Sequence, residues 1–243
     1  MKYNNLFNKQ NVGAIIIIII VVSSSGFLIP NLPLFAKADS LNPSVFSRDT
    51  KPFGITYPEW TSKWWQWLVS IPAKDNPAAD NTGKNCGQKQ SGPVWFLAGT
   101  TGGSAERSCT VPAGKALLFP IINSECNYAE YPAVKSVPEL IKCAKADNDR
   151  TTNLKATIDG VRLQQLAERY RITSPLFSVT FPPNNVLGAP SGNTQMISDG
   201  FWVFLQPLSV GNHEIHFSGL TVGNPTTGTA NFAIDTTYHL TIQ

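Results

Sequence analysis

Charge is scarce in this sequence. Lysine, arginine, aspartate and glutamate together make up 14% of the residues, against about 25% in an average soluble domain. The usual signatures of nucleotide and hydrolytic chemistry are missing as well. No GxGxxG is present, Gly114-Lys115 lacks both the upstream glycine and the Ser/Thr of a phosphate loop, and Gly102-Gly103-Ser104-Ala105-Glu106 lacks the second glycine of a nucleophile elbow. His213-Glu214-Ile215-His216 is one residue short of the zinc-protease HExxH, and on a strand its two histidines would point to opposite faces. None of the four cysteines forms a CxxC and no histidine lies among them, which argues against a zinc site. No internal repeat is found. These absences argue against nucleotide chemistry, the common serine hydrolases and zinc peptidases.

What is present points outward from the cell. The chain opens MKYNNLFNKQ, continues VGAIIIIIIVV from Val12 to Val22, and reaches Ala36-Lys37-Ala38, the small-x-small pattern that signal peptidases cut. Residues 1 to 38 therefore read as an export signal, with an uncleaved membrane anchor as the alternative, since the apolar stretch approaches spanning length. Contact with a membrane is expected only through this segment, if it stays uncleaved. Removing it takes away Lys2, Lys9 and Lys37 and no acidic residue, leaving 16 basic against 16 acidic residues. No basic field for nucleic acid or anionic lipid remains. The body of the protein is expected to be secreted or held at the cell surface, where Cys86, Cys109, Cys126 and Cys143 would be oxidised. Of the three possible connectivities, Cys86 with Cys109 and Cys126 with Cys143 is favoured, because each closes a local segment.

Residues 39 to 55 read as a linker or arm, and 56 to 243 as a single domain. Thr56-x-x-Glu59 has the form of a capping box, with Pro58 in the first turn where its missing N–H costs nothing. Trp60, Trp64, Trp67, Leu68 and Ile71 then fall on one helical stripe, and Ile71-Pro72 ends the helix. Trp65 lies about 100° round from Trp64, at the edge of the stripe, so it is the tryptophan expected either to be exposed or to meet a neighbouring loop. A second short helix is expected over 137 to 146, opened by Ser136-x-x-Glu139, and a turn or two of helix in QQLAERY. Strands are expected in GPVWFLAGT, in Ala116 to Ile122 with Pro120 marking an edge or a bulge, in ATIDGVRL, and in PLFSVTFP. GFWVFLQPL reads as a central strand. Residues 230 to 242 alternate along their length, with Phe232, Ile234, Tyr238, Leu240 and Ile242 inward. With 18 glycines and 18 prolines for turns, the pattern is that of a mainly β protein. The expected fold is an antiparallel β-sandwich, for which a jelly roll is one arrangement, carrying an N-terminal Trp-rich amphipathic helix and short accessory helices.

WTSKWWQWLVSIP, NPAADNTGKNCGQKQSGPVWFLAG, CTVPAGKALLFPIIN and SDGFWVFLQPLSVGNHEIHF, which contain the motifs WWQW, GPVWFLAG, PAGKALLFPIIN and SDGFWVFLQPL, together resemble a family of exported proteins to which no activity is assigned. The resemblance spans roughly residues 55 to 243. It implies an export signal joined to a soluble β-rich body, and it implies no activity.

Four groups of residues could carry function. Glu125 and Asp199 are candidates for the facing carboxylates that glycoside hydrolysis needs. Trp65, Trp95 and Trp202 could stack on sugar rings, although Trp95 and Trp202 sit in apolar runs that favour the core. Asp75 and Asp80, with Asn76, Asn81 and Asn85, make an oxygen-rich loop of the kind calcium uses, without EF-hand spacing. His216 and His239, with Glu214 and Asp235 nearby, could face a metal across paired strands. No cofactor beyond calcium is suggested. The leading expectation is a binding or structural module whose partners are carbohydrate or envelope proteins, and the alternative is a carbohydrate-active or other hydrolytic enzyme using Glu125 or Asp199.

Overall fold

A computed structural model of the chain describes residues 44 to 243, and the expected export segment lies outside the described residues. Thr56 caps the first helix, α1 (Tyr57–Val69), in the capping box that the sequence foretells: its hydroxyl accepts from the Glu59 N–H while the Glu59 carboxylate accepts from the Thr56 N–H. Ser136 and Glu139 repeat the device at α2 (Val137–Asn148). A single turn, α3 (Leu166–Arg169), completes the helices.

Ten strands follow in chain order: β1 (Val94–Phe96), β2 (Gly103–Val111), β3 (Ala116–Asn127), β4 (Thr151–Ile158), β5 (Val161–Arg162), β6 (Arg171–Thr173), β7 (Phe177–Phe181), β8 (Gly192–Leu205), β9 (Gly211–Thr221) and β10 (Phe232–Ile242). They form two five-stranded sheets. The first runs β1-β3-β8-β6, with β7 also paired to β8; the second runs β2-β10-β9-β4-β5. The expected β-sandwich is thus present, and the sheets are mixed, because β1 pairs with β3 and β2 with β10 in parallel. Side-chain alternation reports which face a residue takes and says nothing of strand direction, so these parallel pairs leave no trace in the sequence.

The turn Pro112-Ala113-Gly114, with Gly114 at φ +80°, carries the chain from β2 in one sheet to β3 in the other. Pro120 then sits inside a central strand at a register shift between Pro120 and Ile122, so of the two readings, edge or bulge, the bulge is realised. Ile121 and Ile122 consequently both join the core between the sheets. The bulge also reverses the phase of everything after it: Ser124 lies opposite Asp199, and Glu125 opposite Ser198.

The inner faces meet around Phe119, stacked on Phe217 at 4.9 Å, with Leu117, Val203, Tyr238 and Leu240 in the same core. The other face of the first sheet is covered by α1, whose Trp64 meets Trp202 edge to face at 5.2 Å. Residues 44 to 55 are an arm rather than a free linker: the Phe46 N–H donates to the Phe204 carbonyl at 2.8 Å and Phe46 packs on the Phe204 ring. Where β3 and β8 run on into the third core cluster, α2 covers them through Leu140 and Ala144, packed against Cys126 and Ile197. Disulfides join Cys86 to Cys109 and Cys126 to Cys143, the favoured pairing. Two such bridges suit an extracellular location, and no helix among the described residues is long and apolar enough to cross a membrane.

Candidate functional site

The six tryptophans are all buried. Trp65 is 5% exposed, a correction to its candidacy as an exposed stacking residue, and Trp95 and Trp202 lie at 9% and 0%. Helical periodicity locates one buried stripe, and α1 is enclosed more widely than that: Thr61 and Ser62 are buried too, leaving Lys63 and Gln66 outside. No tryptophan offers a flat face to a sugar. Phe232, expected inward, is instead 39% exposed, because it opens β10 beyond the reach of the core.

Glu125 and Asp199 do not share a cleft. Their ladder positions are offset by one residue, so they point to opposite faces of the first sheet. Asp199 is fully buried and held by cations. Arg171 Nε and a second guanidinium nitrogen lie 2.9 and 2.8 Å from its Oδ1, Lys145 Nζ lies 3.7 Å from its Oδ2, and the Thr173 hydroxyl donates at 2.6 Å. This arrangement pins α2 to β6 and β8. On the other face, Asn127 Nδ2 donates to Glu125 Oε2 at 2.9 Å and to Glu130 Oε2 as well. Burial pushes the Glu125 carboxyl up to about 8; the Asn127 amide opposes the shift and the neighbouring Glu130 carboxyl adds to it. Glu130 had no signal in the sequence, since its place beside Glu125 depends on the turn that Asn127 caps.

The oxygen-rich loop is occupied by its own turns. The Asp80 carboxylate accepts from the Thr82 N–H and hydroxyl and from the Asn85 N–H, and the buried Asn76 amide caps the backbone of Leu68, Ile71 and Ala78. Asp75 is half-buried beside Lys74 at 3.8 Å. Among the described residues no group of three or more His, Cys, Asp or Glu side chains is arranged to hold a metal ion.

His216 and His239 lie on the outer face of the second sheet. His216 lies opposite Thr237 and His239 opposite Glu214, so the two imidazoles are not directly opposed. Each imidazole finds a carboxylate instead: His216 Nε2 lies 2.9 Å from Asp235 Oδ1, and His239 Nε2 lies 2.8 Å from Glu106 Oε1 with Glu214 at 3.7 Å from Nδ1. The register sets side chains in rows across three strands: Glu106, Thr237 and His216; Ser108, His239 and Glu214; Thr110, Thr241 and Asn212. At the sheet end a shallow depression of about 600 Å³ is lined by Ser108, Thr110, Asn212, His213, Glu214 and His239. His213 Nδ1 lies 2.7 Å from Asp159 Oδ2. Desolvation works against charge on His213, and the Asp159 carboxylate and Ser209 carbonyl outweigh it, so its pKa lies above the ordinary histidine value. Across β2, β10 and β9 the outer face is therefore a field of hydroxyl, amide, imidazole and carboxylate groups, with Lys155 and Arg162 continuing two of its rows on β4 and β5.

Compared with known proteins, the chain matches no family model, no curated protein and no solved structure.

Proposed function

We propose that this chain is an exported, disulfide-stapled β-sandwich that serves as a binding or structural module at the cell surface or outside the cell, with the outer face of its second sheet as the contact surface. The observation that carries the reading is the ordered row structure of that face, where hydroxyl and titratable side chains stand in register while every tryptophan is buried. Strands spaced about 4.8 Å apart present donors and acceptors as a grid, which suits a hydroxyl-rich polymer such as an envelope polysaccharide. The rival reading, hydrolysis by Glu125 or Asp199, needs two carboxylates on one ligand, and these two point to opposite faces.

The test is a binding screen of the disulfide-intact protein against soluble and insoluble polysaccharides and envelope fractions, following protein depletion and released sugar together. Depletion without release, lost when Thr237→Arg places a bulky cation in the middle of the face, supports a binding module. Sugar release abolished by Glu125→Gln would establish the hydrolase instead. If neither signal is seen, the reading that remains is a structural envelope component.

A further inference from the structure

The two carboxylates on either side of the β3–β8 ladder have been solved differently. Asp199 has two cations within ion-pair distance. For Glu125 and Glu130, on the opposite face, no lysine, arginine or histidine among the described residues lies that close. One amide nitrogen, Asn127 Nδ2, serves both carboxyls, while Asn127 Oδ1 accepts from the Ala129 and Glu130 N–H groups at 3.0 Å each and so fixes the turn that brings Glu130 back.

An independent feature lies across the ladder. Ser198 is directly opposite Glu125 and on the same face, where cross-strand Cβ atoms are about 4.5 to 5.5 Å apart. It is 0% exposed, its backbone N–H and carbonyl are both bonded to Ser174, and its Oγ has no protein partner. A buried hydroxyl left unpaired costs about 1 to 3 kcal/mol, and the lone pairs of Ser198 Oγ are open to a bound ligand.

We propose that Glu125, Glu130 and the hydroxyl of Ser198 bind a single divalent cation of the hard, oxygen-seeking class, such as calcium. Two adjacent carboxyls that share one amide donor and have no basic neighbour can be reconciled with each other by a cation, and a divalent ion neutralises both charges. Calcium takes six to eight oxygens in flexible geometry, so water supplies the remainder, and both carboxyls keep partial exposure through which an ion can enter. With only two charged ligands the affinity belongs in the weak range of extracellular calcium modules, with a Kd of about 10⁻⁴ to 10⁻³ M.

Calorimetric titration of the protein with calcium chloride at constant ionic strength tests this together with thermal melts in calcium and in chelator. The expected result is saturable binding of one ion per chain and a higher Tm in calcium. Glu125→Gln and Glu130→Gln should each abolish binding, Ser198→Ala should weaken it several-fold, and Asp80→Asn should leave it unchanged. No saturable heat in the wild-type protein, or binding that survives in the Glu125→Gln/Glu130→Gln double variant, would overturn the proposal. Saturable heat and the rise in Tm are read on the wild-type chain alone, so the test stands even if a variant fails to fold.

Discussion

Arg107 carries its charge at 1% exposure with no carboxylate in ion-pair distance among the described residues, and it does so by donating to backbone carbonyls and a tyrosine hydroxyl. Its Nε donates to the Asp80 carbonyl at 2.6 Å, and one terminal nitrogen donates to the Ala98 and Gly99 carbonyls and the Tyr238 hydroxyl at 2.6, 3.1 and 2.8 Å. Arg107 therefore ties the segments around 78 to 80 and 98 to 99 to β2. Arg107→Leu removes the donor from the Asp80 and Gly99 carbonyls and leaves the Ala98 carbonyl only the Tyr238 hydroxyl, and it should cost about 3 kcal/mol, read as a lower urea midpoint. Glu125 sets the opposite case. Its native pKa, about 8, lies above the ordinary 4.5, so folding favours the protonated form and its stability contribution is lost as pH rises from about 4.5 through about 8. Glu130 faces it directly, and Tyr131 lies within the fields of Glu125, Glu130 and Asp147, all of which oppose further negative charge. Glu125→Gln removes this titration. In chelated buffer the variant should gain on the wild type steadily between pH 5 and 8 and hold a constant lead above that; parallel urea midpoints across the range would refute the assignment.

At the scale of elements, the parts legible in the sequence are those whose signal is local. Both capping boxes, the alternation of β10, the central position of β8 and the cysteine pairing all depend on spacing within one segment, and all are present. What was not legible depends on a partner far along the chain. Trp65 reads as an edge residue because a periodic stripe assumes one partner surface, whereas Trp65 is buried in the cluster that holds Ile172, Phe177 and Met196 from β6, β7 and β8. Glu125 faces away from Asp199 because of the bulge at Pro120, a shift of one residue that Pro120 hints at and cannot place. The continuation of β3 through 124 to 127 has no apolar alternation to reveal it, because its polar residues serve a ladder, a turn and α2 rather than an apolar face. Two substitutions in α1 separate these classes. Thr56→Ala removes the cap and should cost about 1 kcal/mol. Trp65→Ala should cost about 3 to 5 kcal/mol, as for other buried aromatics, while a surface residue would stay within about 0.5 kcal/mol; chemical denaturation of the three proteins decides between them.

Across the whole molecule the two disulfides secure different layers. Cys86–Cys109 fastens the loop around 80 to 92 to β2, the edge strand of the second sheet, and Cys126–Cys143 fastens α2 to the far end of β3 in the first. Closing segments of 23 and 17 residues, each should restrict the unfolded chain by about 3 kcal/mol. Their local consequences differ, because α2 is also held by the Arg171, Lys145 and Asp199 ion pairs and by Asn148, which donates to the Ser124 hydroxyl and the Asp199 carbonyl. Opening Cys126–Cys143 should therefore leave α2 docked and lower its protection only as far as the global stability falls. The first half of the loop before β1 has Arg107 and the Thr82–Ser108 backbone bond as further anchors, both on the same strand as Cys109, and its second half is held by single bonds from the Trp67 indole to the Gln88 carbonyl and from Lys89 to the Ser70 carbonyl. Once Cys86–Cys109 is opened, that loop should exchange its amides well before the sheets do. Hydrogen exchange of the Cys86→Ser/Cys109→Ser and Cys126→Ser/Cys143→Ser proteins measures both. Selective loss of protection over 80 to 92 in the first, with 137 to 148 tracking the global transition in the second, is the outcome this division of roles requires; early exchange of α2 in the second would show that the ion pairs around Asp199 hold the helix less firmly than its disulfide does.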